Sequence, residues 1–256
     1  MSTLFDLTGQ VALITGSSRG IGKATAYRMA EHGANVVISS RKADACEAAR
    51  DEINAAFGRE AAISVPANIA DKGSLQALVD ATIARWGQID HLVCNAASNP
   101  YFGPQAGITD DQFTKILQNN IISNHWLIAM VAPAMRARKD GSITIISSVG
   151  GLKASTVIGA YCISKAADMQ LARNLAAEFG PDNVRVNCIA PGLIKTDFAK
   201  ALWDNPDIHK ASTSGAPLRR IGTPDEIAGM AVLLAGKGGA FATGQCFVID
   251  GGATIA

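Results

Sequence analysis

Short β-branched runs alternate with longer stretches of helical period from one end of the chain to the other, and Gly or Pro punctuates the joins. Seven runs predict strands, at 11–15, 35–39, 61–65, 89–94, 142–147, 184–189 and 246–249. Most carry apolar residues at consecutive rather than alternate positions, the pattern of strands covered on both faces. Six intervening stretches predict helices, at 21–32, 43–57, 74–86, 111–138, 155–179 and 225–234. Strand, helix, strand over the whole length predicts an α/β fold, a doubly wound parallel sheet of about seven strands with helices on both faces. No linker, repeat or low-complexity tract divides the sequence, so a single domain over 1–256 is expected.

Composition agrees with a packed globule. The 256 residues are 48% hydrophobic and 18% charged, with 25 Gly against 9 Pro, far from disordered or collagenous chains. With 23 basic and 22 acidic residues the net charge is +1, so no general field draws the protein to nucleic acid or an anionic membrane. Any phosphate must be held locally. Cys46, Cys94, Cys162, Cys188 and Cys246 form no CxxC pair, and the four histidines form no HxxxH or HExxH pattern. No metal site is expected, and the widely spaced cysteines fit a reduced compartment. The longest apolar run, 126–135, contains Pro133 and is half of the roughly 20 residues a membrane span needs. The N-terminal residues hold no apolar signal core, and a cytoplasmic protein is expected.

Ligands of such sheets bind beyond the carboxyl ends of the strands, where strand order reverses. The first predicted strand runs into Gly16, Ser17, Ser18, Arg19, Gly20, Ile21 and Gly22, and a helical pattern follows. Glycines there let the backbone approach a pyrophosphate, which the unpaired N–H groups of a helix start would bind. Turn chemistry alone is the other reading. The second predicted strand ends in Ser40, Arg41 and Lys42, where an acidic residue would favour NAD(H). The basic pair, with Arg19, suits the 2′-phosphate of NADP(H), although a solvated helix start would also read this way.

Tyr161 and Lys165 stand four apart on one predicted helix face, and Ser148 follows the fifth strand. A phenol with a pKa of about 10 is a poor base at neutral pH. An adjacent ammonium, helped by the charge of an oxidised nicotinamide, would favour phenolate; a fall of about 3 units needs roughly 4 kcal/mol. The Ser148 hydroxyl would hold a substrate oxygen in line with that proton transfer.

Taken together, TGSSRGIG at 15–22, CNAA at 94–97, Asn120, IISS at 145–148, YCISK at 161–165, NCIAPGLIKT at 187–196 and TGQCFVIDGG at 243–252 resemble the classical short-chain dehydrogenase/reductase family over essentially the whole chain. The resemblance implies a Rossmann-type fold and a catalytic set of Asn120, Ser148, Tyr161 and Lys165, in which the tyrosine passes a proton as the nicotinamide passes a hydride. It implies that the lysine also meets the nicotinamide ribose, and that a distortion of the helix at Asn120 holds a water linking the lysine to solvent. Asn95 and Ala96 match residues beside the adenosine ribose, and Pro191, Gly192, Ile194 and Thr196 match the loop under the carboxamide.

Two positions depart from the family pattern: Ala97 stands where glycine is common, and Asn68, before Ile69, stands where an acid often meets the adenine amino group. An asparagine carbonyl can still accept that bond. SSRK at 39–42 and NAASNPYFG at 95–103 most resemble NADP-dependent carbonyl, ketone and retinal reductases. The expected partner is a small carbonyl or alcohol substrate. A 3-oxoacyl-[acyl-carrier-protein] reductase and a non-catalytic nucleotide-sensing module are the alternatives. Tyr101, Phe102, Leu152, Phe198, Leu202 and Trp203 give the expected pocket, with its loop or lid at 193–217, an apolar tone. Phe198 and Trp203 serve equally as lid or subunit contact on sequence alone. The family is usually a homotetramer, and the apolar helices and C-terminal strand fit one.

Overall fold

The computed structural model of the protein describes residues 3–204, 210 and 213–256. Its strands are β1 (Val11–Thr15), β2 (Asn35–Ser39), β3 (Ala62–Ser64), β4 (His91–Cys94), β5 (Gly141–Ile146), β6 (Val184–Pro191) and β7 (Cys246–Ile249). They form one parallel sheet in the order β3-β2-β1-β4-β5-β6-β7. The helices are α1 (Gly20–Glu31), α2 (Ala43–Phe57), α3 (Lys72–Trp86), α4 (Asp110–Leu117), α5 (Ser123–Arg138), α6 (Gly159–Phe179), α7 (Lys200–Trp203) and α8 (Pro224–Ala235).

Consecutive apolar residues in the strands serve two cores. Leu13, Val37 and Leu92 pack with Leu78 of α3, Leu127 of α5 and Ala172 of α6. Their neighbours Ile14, Val36 and Val93 turn to the other face and pack with Met29 of α1, Ile53 of α2 and Ile227 of α8. A fully buried side chain of this kind contributes roughly 1.5–3 kcal/mol.

The central strand positions the site. Ile14 of β1 lies opposite Ile38 of β2 on one side and Val93 of β4 on the other. The chain winds outward from β1 to β3, then crosses back to β4 and winds the other way. That reversal opens a crevice at the carboxyl ends of β1 and β4.

The stretch 111–138 is two helices rather than one. Between α4 and α5 lies a five-residue π-turn, Gln118–Ile122. Ser123 Oγ donates to the Asn119 carbonyl at 2.6 Å and Asn124 Nδ2 to the Asn120 carbonyl at 2.7 Å, so side chains take acceptors that backbone N–H groups use in a regular turn. Helix α6 starts at Gly159, later than the periodicity suggests, because Ser155 Oγ accepts from the N–H groups of Val157 (3.3 Å) and Ile158 (3.2 Å) and holds the preceding residues in a turn. Helix α3 starts earlier, capped by Asp71 on the Gly73 N–H at 2.9 Å.

His91 is buried on β4, its ring nitrogens hydrogen-bonded to Ser142 Oγ and Gln10 Oε1, each at 2.8 Å. Burial, with Arg185 nearby, pushes its pKa down to about 3, so the ring is neutral. Among the described residues no helix is long and apolar enough to cross a membrane.

Candidate active site

The glycine loop leaves β1 through Gly16 in the left-handed region (φ 66°), which its lack of a Cβ allows. Ser17 Oγ donates to the Ile14 carbonyl (2.7 Å) and accepts from the Ser39 N–H (2.8 Å), tying the loop to β2. From the β4 side, Asn95 Nδ2 donates to the carbonyls of Thr15 (2.9 Å) and Gly16 (3.1 Å). The N–H groups of Asn95 and Ala96 both donate to Thr15 Oγ1 at 3.1 Å. Asn95 is thus a clamp across the crevice. Thr15 and Ser17, whose side-chain bonds no sequence pattern marks, complete it.

Gly20, Ile21 and Gly22 form the first turn of α1, where the loop runs into the helix. Ser40 Oγ lies 3.1 Å from Cys46 Sγ, while Arg41 and Lys42 are exposed at the start of α2. Arg19 pairs at 3.4 Å with Asp197, beyond β6; both side chains are about two-thirds exposed or more, at 72% and 67%. Such a pair is worth at most about 1 kcal/mol. Asn68 is exposed, its Oδ1 accepting from the Ala70 N–H at 3.2 Å, and Ile69 packs against the core.

Ser148, Tyr161 and Lys165 are brought together as their spacing predicts. Ser148 follows β5, and its Oγ accepts from the Gly150 N–H at 3.0 Å and is hydrogen-bonded to Tyr161. Lys165 is 2% exposed, with Nζ 5.7 Å from the Tyr161 ring centre. That ammonium donates to the Ile146 carbonyl at 2.8 Å and to Asp168 Oδ2 at 2.9 Å.

The Lys165 ammonium favours phenolate at Tyr161, as its position predicts, and burial opposes it. Burial pushes the Tyr161 hydroxyl up, Lys165 and Ser148 pull it down, Asp168 pushes it up again, and the balance lies above the ordinary value. Burial pulls Lys165 down, but Asp168 and Tyr161 more than offset this and keep the ammonium charged. In this structure Tyr161 is therefore a hydroxyl that carries its proton.

Asn120 is fully buried in the π-turn, with Oδ1 accepting from the Ser98 N–H (2.8 Å) and Nδ2 donating to the Ser98 carbonyl (3.1 Å) and Ser164 Oγ (3.0 Å). It holds the loop after β4 against α6. Its main-chain carbonyl already accepts from Asn124, leaving one lone pair.

Pro191 ends β6, and the Gly192 N–H donates to the Ile249 carbonyl at 2.9 Å. Ile194 is buried and bridges to Gly222. Thr196 is held by its neighbours: its carbonyl accepts from Trp203 Nε1 at 2.9 Å. The Phe198 ring stands 6.0 Å from that of Tyr161, with Leu152 and Phe102 exposed at the same strand ends. The Phe198 ring thus lies beside that of Tyr161, and Trp203 braces the loop. The Leu202 side chain lies outside the described residues.

The family model for enoyl-(acyl carrier protein) reductase matches residues 16–254. Dehydrogenase/reductase SDR family member 4 of Oryctolagus cuniculus is 38% identical over 250 residues, covering 96% of this chain and 94% of its own. Among solved structures, 7α-hydroxysteroid dehydrogenase complexed with NADH and 7-oxo glycochenodeoxycholic acid superposes with a TM-score of 0.93 at 35% identity, over 98% of this chain and 97% of that one. The Pseudomonas aeruginosa RhlG/NADP active-site complex gives a TM-score of 0.93 at 33% identity over 100% of both chains.

Proposed function

The chain belongs to the classical short-chain dehydrogenase/reductase family of oxidoreductases, and on that premise we propose that it passes a hydride between NADP(H) and a ketone, aldehyde or secondary alcohol. The observation that carries this reading is the meeting of Ser148, Tyr161 and the Lys165 ammonium at the carboxyl edge of the sheet, beside a glycine loop.

The cradle fits a dinucleotide. A Cβ at residue 22 would fall 2.5 Å from Asn95 Nδ2, so the loop backbone is kept bare where a pyrophosphate would lie. The N–H groups opening α1 hold that anion. Arg19, Arg41 and Lys42, with no acidic residue at the end of β2, favour a 2′-phosphate and hence NADP(H) over NAD(H). When bound, the cofactor supplies the hydride.

This chain's residues handle the oxygen and its proton. Ser148 orients the carbonyl oxygen; Tyr161 gives it the hydroxyl proton as the carbon gains hydride, and Lys165 stabilises the phenolate left behind. Tyr161 as a hydroxyl has the proton that carbonyl reduction requires. Asn120 acts through the loop and helix it joins.

Phe198, Leu152 and Phe102 favour a hydrophobic or cyclic ketone, and the steroid named with one structural relative is of that kind. The same reading makes the protein a cytoplasmic homotetramer. The test is turnover of a carbonyl panel by the purified full chain with NADPH and NADH side by side. Consumption of NADPH with a cyclic ketone is expected; no turnover with either cofactor would sink the reading, and a marked preference for acetoacetyl thioesters would favour the 3-oxoacyl alternative.

A further inference from the structure

We propose that Asp168 is a positioning residue of this site, a buried carboxylate set behind the Lys165 ammonium whose charge keeps Tyr161 a proton donor and so biases the site toward carbonyl reduction. This rests on the oxidoreductase reading above and extends it to a residue that does not touch substrate.

Asp168 is fully buried, and a lone carboxylate there would be strongly unfavourable. Both its oxygens are engaged by N–H donors: Oδ2 accepts from Lys165 Nζ at 2.9 Å and Oδ1 from Asn124 Nδ2 at 3.1 Å. Burial pushes the Asp168 carboxyl up, while Lys165 and Asn124 pull it down; with N–H donors on both oxygens the geometry suits the ionised form. Asn124 Nδ2 also reaches the Asn120 carbonyl at 2.7 Å. The chain Lys165, Asp168, Asn124, Asn120 thus binds the centre of α6 to the π-turn before α5.

Two consequences follow for the reacting end. An ammonium has three donors; Ile146 and Asp168 take two, fixing the direction of the third. The field at Tyr161 also changes. Residues 161 and 168 are two helical turns apart, about 10 Å along the axis. The carboxylate there offsets part of the stabilisation that Lys165 gives a phenolate. The other titratable groups facing these three, among the described residues, are thiols: Cys94 from β4, Cys188 from β6 and Cys162 on α6. Burial pushes each of them up, so they stay neutral. Cys188 Sγ donates to the Asp168 main-chain carbonyl at 3.4 Å and adds no charge.

The test titrates the Tyr161 phenolate by ultraviolet difference absorbance in the full-length protein, with Tyr161→Phe subtracting the signal of Tyr27 and Tyr101. In Asp168→Asn, which keeps a hydrogen-bonding amide, the phenolate is expected about one pH unit lower than in wild type, from the loss of one charge at that distance. The pH limb of alcohol oxidation should move the same way, raising oxidation roughly tenfold below both values. Asp168→Glu, which keeps the charge, should titrate close to wild type. Should Asp168→Asn fail to fold, Asp168→Ser takes its place. An unmoved phenolate in the uncharged variant overturns the proposal. A wild type without turnover would instead refute the oxidoreductase reading, and the absorbance titration would still decide the role of Asp168.

Discussion

Gly22 and Asn95 are in such close approach that a methyl group on Gly22 would fall 2.5 Å from Asn95 Nδ2, and nearer still to the Gly16 carbonyl oxygen. Asn95 cannot yield, because that same nitrogen bonds the carbonyls of Thr15 and Gly16. Gly22→Ala is therefore expected to destabilise the protein by about 1–3 kcal/mol, as overpacking does. Because the displaced backbone is the proposed pyrophosphate cradle, NADPH affinity should fall at least tenfold. Denaturant unfolding and fluorescence titration with NADPH measure the two effects; an unchanged affinity contradicts this assignment of the loop.

At the other end of the proposed cofactor site, Arg41 is exposed at the start of α2. A charge-assisted bond to a 2′-phosphate contributes roughly 1.5–3 kcal/mol, about 10- to 100-fold. Arg41→Ala should raise the KM for NADPH by that factor and leave the KM for NADH nearly unchanged. Equal effects on both cofactors would show that Arg41 reads no phosphate.

Much of this was legible in the sequence, for identifiable reasons. β1 and β2 begin and end where their apolar runs do, since consecutive apolar residues have one stable use in a doubly covered sheet. Tyr161 and Lys165 needed only the helical repeat. The π-turn was hidden from periodicity because it changes which groups bond Asn119 and Asn120 carbonyls, not which residues are apolar. Asp168 escaped notice because a charged residue on a helix ordinarily marks a solvated face; its offset of three from Lys165 becomes meaningful only once that face is known to be buried. The pairing of Arg19 with Asp197 joins residues 178 apart, and no local pattern encodes it.

His91 gives the stability a dependence on pH. Its pKa is about 3 when folded against 6.5 ordinarily, so between those values the unfolded state binds the extra proton. Its contribution is present above pH 6.5 and lost as pH falls toward 3. From pH 6.5 to 4.5 that loss is about 2–3 kcal/mol. In denaturant unfolding at pH 7 and 4.5, His91→Gln should lose less stability than wild type by about 2 kcal/mol. Equal losses would contradict a buried neutral imidazole.

β7 is one of the two edge strands of the sheet, with Val248 37% and, beyond it, Ile255 87% exposed. Apolar side chains at a sheet edge suit a contact between copies. Sedimentation is expected to give a tetramer, and Val248→Lys a smaller species. A stable wild-type monomer would refute this.

In the proposed reaction Tyr161 donates the proton that accompanies hydride transfer. This step is tested most directly by NADPH consumption with a cyclic ketone, in wild type and Tyr161→Phe, alongside NADPH binding by fluorescence. The variant is expected to show a fall in kcat of about 100- to 10,000-fold, the range for losing a general acid, with NADPH affinity within a few-fold of wild type. A Tyr161→Phe protein that reduces the ketone at the wild-type rate would contradict it.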